Sequence, residues 1–538
     1  MTRDERRVII ASSVGTILEW YDFFLYGALA MILGIKFFGQ FDDTIRSIFA
    51  QLTIYVGLLV RPFGALVWGR FGDLVGRKPA FFATVVIVGA STLIVGLLPT
   101  SDKIGIAAPI ILVGSRILQS LAISGGFGGA AIYVAEHAPP GRRGFYVGCI
   151  PASITLGLLL ALAVVMITQS MLDDTQFRLW GWRIPLLASA PLLVVSLLLR
   201  LGLEESPAFL KMKAEGRQSR APLREALGRW SNIRLGLIAL FGMSAATAVL
   251  GSVGTFYILA FLTISLKVDS YSANLLVVTA TIVGVAGCVF FAWWSDRVGR
   301  KPIILAGCAI AVVASLSIFH ILAELANPAL DHAQRTISVS VNADPATCSF
   351  QFNPAGTARF TSPCDVAKAT LTRLSVTYAN VSLPAGAPTT VTIGQETISV
   401  DSAFTNKLAA RVKAAGYPTV GDPSILRLSS VGDLLQGRAL QVVGLLVVLV
   451  LLGQMVQGPA AAGIVELFPI SIRYTAMSLP YQIAAGWIGG LMSAMTSAMN
   501  IAGGNMFFSL WYPVAFAAGA LVVGLLLLPE TRDRDIAA

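Results

Sequence analysis

Four ionisable side chains sit inside stretches that are otherwise apolar: Glu19 and Asp22 in the first, Arg61 in the second and Arg116 in the fourth. A charge in hydrocarbon is expensive unless it is paired, so such residues mark paths for protons, ions or substrates. At ~1.5 Å per helical residue, Asp22 lies about 22 Å from the basic end of its stretch and Arg116 about 28 Å from the same surface, while Glu19 and Arg61 come out at about 16 and 12 Å. Depth therefore matches Asp22 with Arg116 and Glu19 with Arg61. The two acids are three residues apart and share a helix face. A carboxylate beside an arginine stays ionised and takes up a proton once the arginine is drawn away, which is the chemistry of proton coupling. A static ion pair that only fixes helix packing is the other reading of the same residues. His320, alone near the end of its stretch, reads as structural.

The elements that must position these groups are membrane spans. The chain has 538 residues, 55% hydrophobic and only 13% charged, with mean hydropathy +0.75. A soluble chain of this length carries roughly 25% charged residues. Twelve apolar stretches of about 20 residues can be marked, each able to cross a ~30 Å hydrocarbon core. They centre near Ile17, Val56, Val88, Val113, Leu158, Val194, Gly242, Thr281, Ile310, Leu449, Ile488 and Leu521. The first follows a basic start but has no small-residue cleavage site, so it reads as a retained span. Loops on the side of the N-terminus hold about 22 basic residues and the opposite short loops about five, which predicts both termini in the cytoplasm. The net charge of +10 belongs to that asymmetry. No basic recognition helix or aromatic stacking run points to nucleic acid.

Two spacings repeat. Gly69, Asp73, Arg77 and Lys78 have counterparts in Asp296, Arg300 and Lys301, with Asp73 and Asp296 separated by 223 positions. Glu136 and Arg143 recur as Glu466 and Arg473, 330 positions on. Both pairs descend from one duplicated unit only if 107 residues have entered between Lys301 and Glu466. Residues 328–434 are a polar stretch of that size. The division expected is a six-helix half over 1–201, a cytoplasmic loop over 202–233, and a second six-helix half over 234–327 and 435–538. The repeated acids at span ends can accept from helix amides or arginines, the basic residues can anchor at headgroups, and Gly69 lets helices approach closely. Such contacts would hold one conformation and break in another.

The insert, following span nine, is expected outside the cytoplasm. It alternates like strands around Ile337–Val341, Phe350–Phe352, Val376–Tyr378, Val391–Ile393 and Ile398–Val400, then reads as a helix from Ser402 to Gly416. Its Cys348 and Cys364 are expected to pair in an oxidising compartment, closing a loop worth roughly 3 kcal/mol. Cys149, Cys288 and Cys308 lie in apolar spans and read as packing residues. The repeat arithmetic closes without the insert, so it is expected to be dispensable for the transport step.

Together, Gly69-x-x-x-Asp73-x-x-Gly76-Arg77-Lys78 with its repeat, Arg116-x-x-x-Ser120 and Glu204-Glu205-Ser206-Pro207 resemble the major facilitator superfamily. Glu19-Trp20-Tyr21-Asp22, Arg61-Pro62-Phe63-Gly64 and Trp180-Gly181-Trp182-Arg183 resemble its metabolite:proton symporters. The resemblance implies an all-α fold of twelve helices in two homologous halves, with the insert as a small β-rich periplasmic domain in the bacterial inner membrane. It implies that Asp22 and Arg116 form the proton-coupling pair, with the proton gradient in place of any cofactor. Gly125-Gly126-Phe127 lacks the carboxylate of many relatives, which disfavours a cationic or zwitterionic substrate, and the large outer insert is similar to the haloacid and acetate permease branch. The expectation is import of a small monocarboxylate, with a larger metabolite (a dicarboxylate, a shikimate-like acid, proline or betaine) as the alternative. Tyr26, Arg116, Tyr257, Gln454 and Gln457 are candidate substrate contacts. No metal cluster, nucleophile constellation or phosphate loop suggests an enzyme. A non-transporting membrane sensor is the remaining rival.

Overall fold

The computed structural model describes residues 3–41, 43–354, 356–419 and 421–536. The side chains of Arg3 and Arg46, counted among the loop cations, lie outside the described set. Among the described residues, 11 helices are long and apolar enough to cross a membrane. These supply span 1 (Glu5–Ala28), span 2 (Leu52–Leu74), span 3 (Arg77–Leu97), span 4 (Ala107–His137), span 5 (Arg143–Met171) and span 6 (Arg183–Leu201). In the second half they supply span 7 (Trp230–Ser265), span 8 (Ser270–Val298), span 9 (Arg300–Ala326), span 10 (Gly437–Leu467) and span 12 (Phe508–Leu527). The expected run centred on Ile488 differs. It is built from a helix over Arg473–Ile483, a π-turn over Ala484–Ile488 and a second helix over Met492–Gly503. Pro480 removes an amide donor and Gly489-Gly490 resists helix, so span 11 is broken where an apolar count reads it as continuous.

The duplicated spacing holds in three dimensions. Asp73, at the end of span 2, accepts from the amides of Tyr474 at 3.2 Å and Thr475 at 2.9 Å, which open span 11. Asp296, at the end of span 8, accepts from the amides of Gly144 at 2.7 Å and Phe145 at 2.8 Å, which open span 5. Each carboxylate thus sits on the amide-rich start of a helix in the opposite half, where partial positive charge favours it. Gly69 and Gly72 make the first contact possible, since a Cβ on Gly69 would lie 2.6 Å from the Thr475 Cα. Arg77 donates to Asp73 and Arg300 to Asp296, each at 2.7 Å. Arg473 bonds Glu136 at 2.8 Å, across the halves, whereas Arg300 bonds Glu466 at 3.1 Å within one half. The chain turns after spans 2 and 8 at Gly76 (φ 141°) and Gly299 (φ 111°), a backbone region that glycine enters at little cost. The amides of Arg77 and Lys78 then donate to Glu205, and those of Arg300 and Lys301 to Glu530. Arg143 does not copy Arg473: its guanidinium donates to the Arg534 carbonyl at 2.7 Å.

The insert carries a four-stranded sheet in the order β2-β1-β3-β4, with β1 Val339–Ala343, β2 Ala379–Ser382, β3 Thr390–Ile393 and β4 Glu396–Ser399. Only β1 and β2 are parallel. Helices over Pro328–Thr336, Pro363–Arg373 and Phe404–Ala414 have 9, 11 and 11 residues and outweigh the strands, so the insert is mixed α and β rather than β-rich. Phe350–Phe352 forms no strand. Asp365 holds that segment instead, accepting from the Ser349 amide at 2.7 Å, with Gln351 donating to its carbonyl. The helix after it was legible in Ser362-Pro363-Cys364-Asp365: a capping serine, proline in the first turn and an early acid.

Cys348 and Cys364 are joined in a disulfide, and Cys149, Cys288 and Cys308 are free. The sheet's inward residues Val341 and Val391 share one continuous apolar core with Phe261, Phe319 and Phe507 of the second half. Tyr378 donates its amide to Gly504 at 2.8 Å, Lys267 reaches the Arg373 carbonyl at 2.8 Å, and Leu426 bonds Ala326 at 2.8 Å. A flexible linker in place of 328–434 would bare that core, so its cost falls on folding before it reaches transport.

Two outcomes are expected. Cys348→Ser with Cys364→Ser should lower stability by about 3 kcal/mol, from an open loop in the unfolded chain; unchanged thermal unfolding in the presence and absence of reductant would remove the disulfide from the stability of the fold. Asp73→Ala strips two helix amides of their acceptor and leaves Arg77 with a poorer partner, at a cost of roughly 3 kcal/mol to this closed arrangement. Faster hydrogen exchange at the start of span 11 should follow, with the spans intact by circular dichroism. Exchange at the wild-type rate would make the contact dispensable.

Candidate functional site

Span 1 sorts its side chains between two faces. Trp20, Phe23, Phe24 and Gly27 look into a cavity of about 550 Å³ between the halves. Glu19, Asp22 and Tyr26, offset around the helix, look into the first half instead. The cavity wall is completed by Arg61 of span 2, Arg116 of span 4, Tyr257 of span 7, Gln454 and Gln457 of span 10, and Tyr481 of span 11. The helices contributing there are irregular. Span 7 is interrupted by π-turns over Leu240–Ser244, Val253–Tyr257 and Phe261–Ser265, and span 11 by the one already described. Such turns release a helix from strict i→i−4 bonding and recur at functional sites.

Arg61 and Arg116 hold the charge of this cavity. The Phe23 ring lies between them, its centroid 4.6 Å from the Arg61 guanidinium and 4.4 Å from that of Arg116. Arg61 also faces Trp20 at 5.5 Å, and its Nε and Nη2 have no hydrogen-bond partner. Arg116 faces Tyr26 at 4.6 Å and donates Nη1 to Gln119 Oε1 at 2.6 Å, leaving Nε without a partner. Among the described residues, no Asp or Glu lines the cavity. Two guanidiniums, partly screened by aromatic faces and lacking a carboxylate, make a place for an anion.

The depth-matched ion pairs do not form. Glu19 bonds Arg200 of span 6 at 3.2 Å, not Arg61. Arg200 also donates to the Phe81 carbonyl at 2.6 Å and lies over the Phe81 ring at 3.5 Å. Depth ignored direction around the helix: Glu19 points away from the cavity and Arg61 into it. Asp22 makes no ion pair with Arg116 but accepts a hydrogen bond from the Ser189 hydroxyl. The two do border one small void of about 10 Å³, shared with Thr92 and Gln119. Gln119 stands between them. Its Oε1 accepts from Arg116, while its Nε2 donates to Thr92 Oγ1 at 3.0 Å and to the Asp22 carbonyl at 3.3 Å.

Of the candidate substrate contacts, Arg116, Tyr257, Gln454 and Gln457 line the cavity. Tyr26 does not; it lies beneath Arg116, on the other face of span 1. The Tyr257 hydroxyl is shared with Ser509 at 2.8 Å, while Gln454 Oε1 is buried without a partner. The composition of the spans did not single out Arg200, Ser189 or Gln119. Arg200 had a signal, an arginine closing the apolar run Leu197-Leu198-Leu199. Polar residues such as Ser189 acquire meaning only from the neighbour that folding supplies.

A family model described as sugar (and other) transporter matches residues 8–235 and 241–327, ending where the insert begins. The shikimate transporter of Escherichia coli K12 is 34% identical over 322 residues, covering 58% of this chain and 72% of that one. The proline/betaine transporter of the same organism is 33% identical over 330 residues, covering 58% and 64%. These relatives do not point to the haloacid and acetate branch that the outer insert suggested. Among solved structures, the proton:xylose symporter XylE aligns with TM-score 0.61 at 15% identity, over 99% of this chain and 98% of that one, a likeness of fold. The chain belongs to the sugar (and other) transporter family, and is a multi-pass membrane transporter built on the major facilitator fold.

Proposed function

We propose that this transporter imports an organic anion together with a proton, and that the anion is a hydroxylated carboxylate in the size class of shikimate. The observation that carries the reading is the pair Arg61 and Arg116, set on either side of Phe23 in a cavity with no carboxylate among its described lining residues. A volume of about 550 Å³ supports a ring-bearing acid rather than acetate or a haloacid, which would leave most of the space to water. Gln454, Gln457 and Tyr481 offer amides and a hydroxyl for a polyhydroxylated ring. The shikimate transporter of Escherichia coli is the relative whose name fits this chemistry.

Asp22 is the proposed proton site. It is buried off the cavity, and Gln119 links Arg116 to the Asp22 main-chain carbonyl and to the Thr92 hydroxyl beside it. Loading an anion on Arg116 and a proton on Asp22 leaves the net charge of this cluster unchanged, so in a poorly solvated region the two bind together. Glu19, held by Arg200, is the structural acid of the pair in this proposal. The charge asymmetry of the loops supports an inner-membrane orientation with both termini in the cytoplasm and the insert in the periplasm. Betaine is the second reading. Trp20, Phe23 and Tyr55 line the cavity and could receive a quaternary ammonium, against the field of two arginines.

Proteoliposomes offered labelled shikimate, acetate, proline and betaine, with and without an imposed proton gradient, test this. Shikimate should accumulate with the gradient. Arg61→Gln and Arg116→Gln should each weaken its uptake roughly tenfold or more, as loss of a charge-assisted contact implies. Gradient-driven betaine accumulation, with shikimate ignored, would transfer the function to the second reading. Asp22→Asn should abolish accumulation and keep shikimate exchange; uphill uptake at the wild-type level would remove Asp22 from coupling.

A further inference from the structure

The two halves are pseudo-equivalent at the basic end, and one difference between them opens a pocket. Where Asp73 caps span 11, the Tyr474 ring fills the seam: it is fully buried against Gly72, with its hydroxyl donating to the Gly125 carbonyl at 2.7 Å. The position 330 residues earlier is Gly144, which brings no side chain to the seam capped by Asp296. A pocket of about 380 Å³ stands there, lined by Arg142 and Phe145 of the first half and Trp293, Asp296 and Arg297 of the second. The counterparts of Arg142 and Arg297 on the filled side are Ile472 and Leu74. One seam is greasy and closed; its equivalent is open and cationic.

The charges there are unbalanced. Asp296 is consumed by Arg300 and by the amides of Gly144 and Phe145. Glu5, close by, accepts from the Tyr146 hydroxyl at 2.8 Å. Neither Arg142 nor Arg297 has a carboxylate partner among the described residues; the Arg297 guanidinium lies over the Trp293 ring at 3.8 Å. Beside the pocket an aromatic ridge, Phe290, Trp293 and Trp294, runs exposed along span 8, its rings 5.9 and 6.0 Å from centroid to centroid. Aromatic rings next to arginines at a span end are the chemistry of the headgroup region.

We propose that this pocket binds the phosphate headgroup of an anionic phospholipid, whose acyl chains lie along Phe290, Trp293 and Trp294. A soluble anion would satisfy the arginines but make no use of the exposed ridge. Arg142 and Arg297 belong to opposite halves, so a headgroup touching both holds the Asp296 contact together. The lipid binds the closed arrangement better than one in which the seam parts, and its presence shifts the population toward closure.

The test uses the full chain in nanodiscs of phosphatidylcholine alone or mixed with phosphatidylglycerol, with retained lipid counted by native mass spectrometry. Each of Arg142→Gln and Arg297→Gln should lower phosphatidylglycerol retention about fivefold, at ~1 kcal/mol per basic residue. The double lysine variant should keep most of it. In the wild type, phosphatidylglycerol should slow hydrogen exchange over residues 139–146, and in the double glutamine variant it should not. Both side chains are exposed, so unfolding in phosphatidylcholine should be unchanged; if the double variant does not fold, the single variants carry the comparison. Equal retention by wild type and variants overturns the proposal. Protection of the same amides by inorganic phosphate in detergent, matching that by phosphatidylglycerol, also overturns it and makes this a site for a soluble anion.

Discussion

A carboxylate on the opening amides of a helix in the opposite half is the contact on which the rest depends. Asp73 and Asp296 make it in pseudo-symmetric positions, each also held by an arginine four residues on. The geometry is demanding. An acceptor must reach two consecutive amides of a foreign helix, so the spans must approach without side chains between them, and Gly69 and Gly72 allow this on one side. The Asp73 seam buries Arg77 and Arg473 almost completely. Buried guanidiniums are tolerable only with partners, and Asp73, Glu136 and the Ile470 and Ile536 carbonyls supply them. Two of these bonds, Arg77 to the Ile470 carbonyl and Arg473 to Glu136, cross between the halves, so rocking the halves apart must break both.

The cavity is organised by the opposite rule. Its arginines are left without carboxylates, and aromatic rings take part of their charge. The same helix that turns Trp20 and Phe23 toward Arg61 and Arg116 turns Glu19 and Asp22 away. One face of span 1 therefore meets two guanidiniums and the other carries the carboxylates, with Gln119 and Thr92 between them. Separation by face keeps these acids from pairing with the arginines of the cavity.

The insert is attached in a way its polarity does not suggest. Its contacts run to spans 7, 8 and 9 and to the turn before span 12, all in the second half, and its core is continuous with theirs. It is carried by that half as one body. The difference between a domain on a tether and one sharing a core lies in the partners of a few apolar residues such as Phe507 and Met506, and those are assigned only by folding.

Periodicity and the two repeated spacings determined the helical bundle, its paired seams and where along the chain the insert falls, because these depend on residue type and separation along the chain. The residues at the seams were likewise legible, since Asp73 and Asp296 with their glycines and arginines recur at fixed intervals. What only the tertiary structure decided is which charges meet. Depth along a helix is one coordinate; contact also needs the angle around it and the identity of the facing helix. Glu19 therefore found Arg200 rather than Arg61, Asp22 found Ser189 rather than Arg116, and Tyr26 fell behind the cavity wall instead of inside it. Span 11 broke for a related reason, since an apolar run long enough to cross can still be two helices when proline and paired glycines weaken its hydrogen bonds.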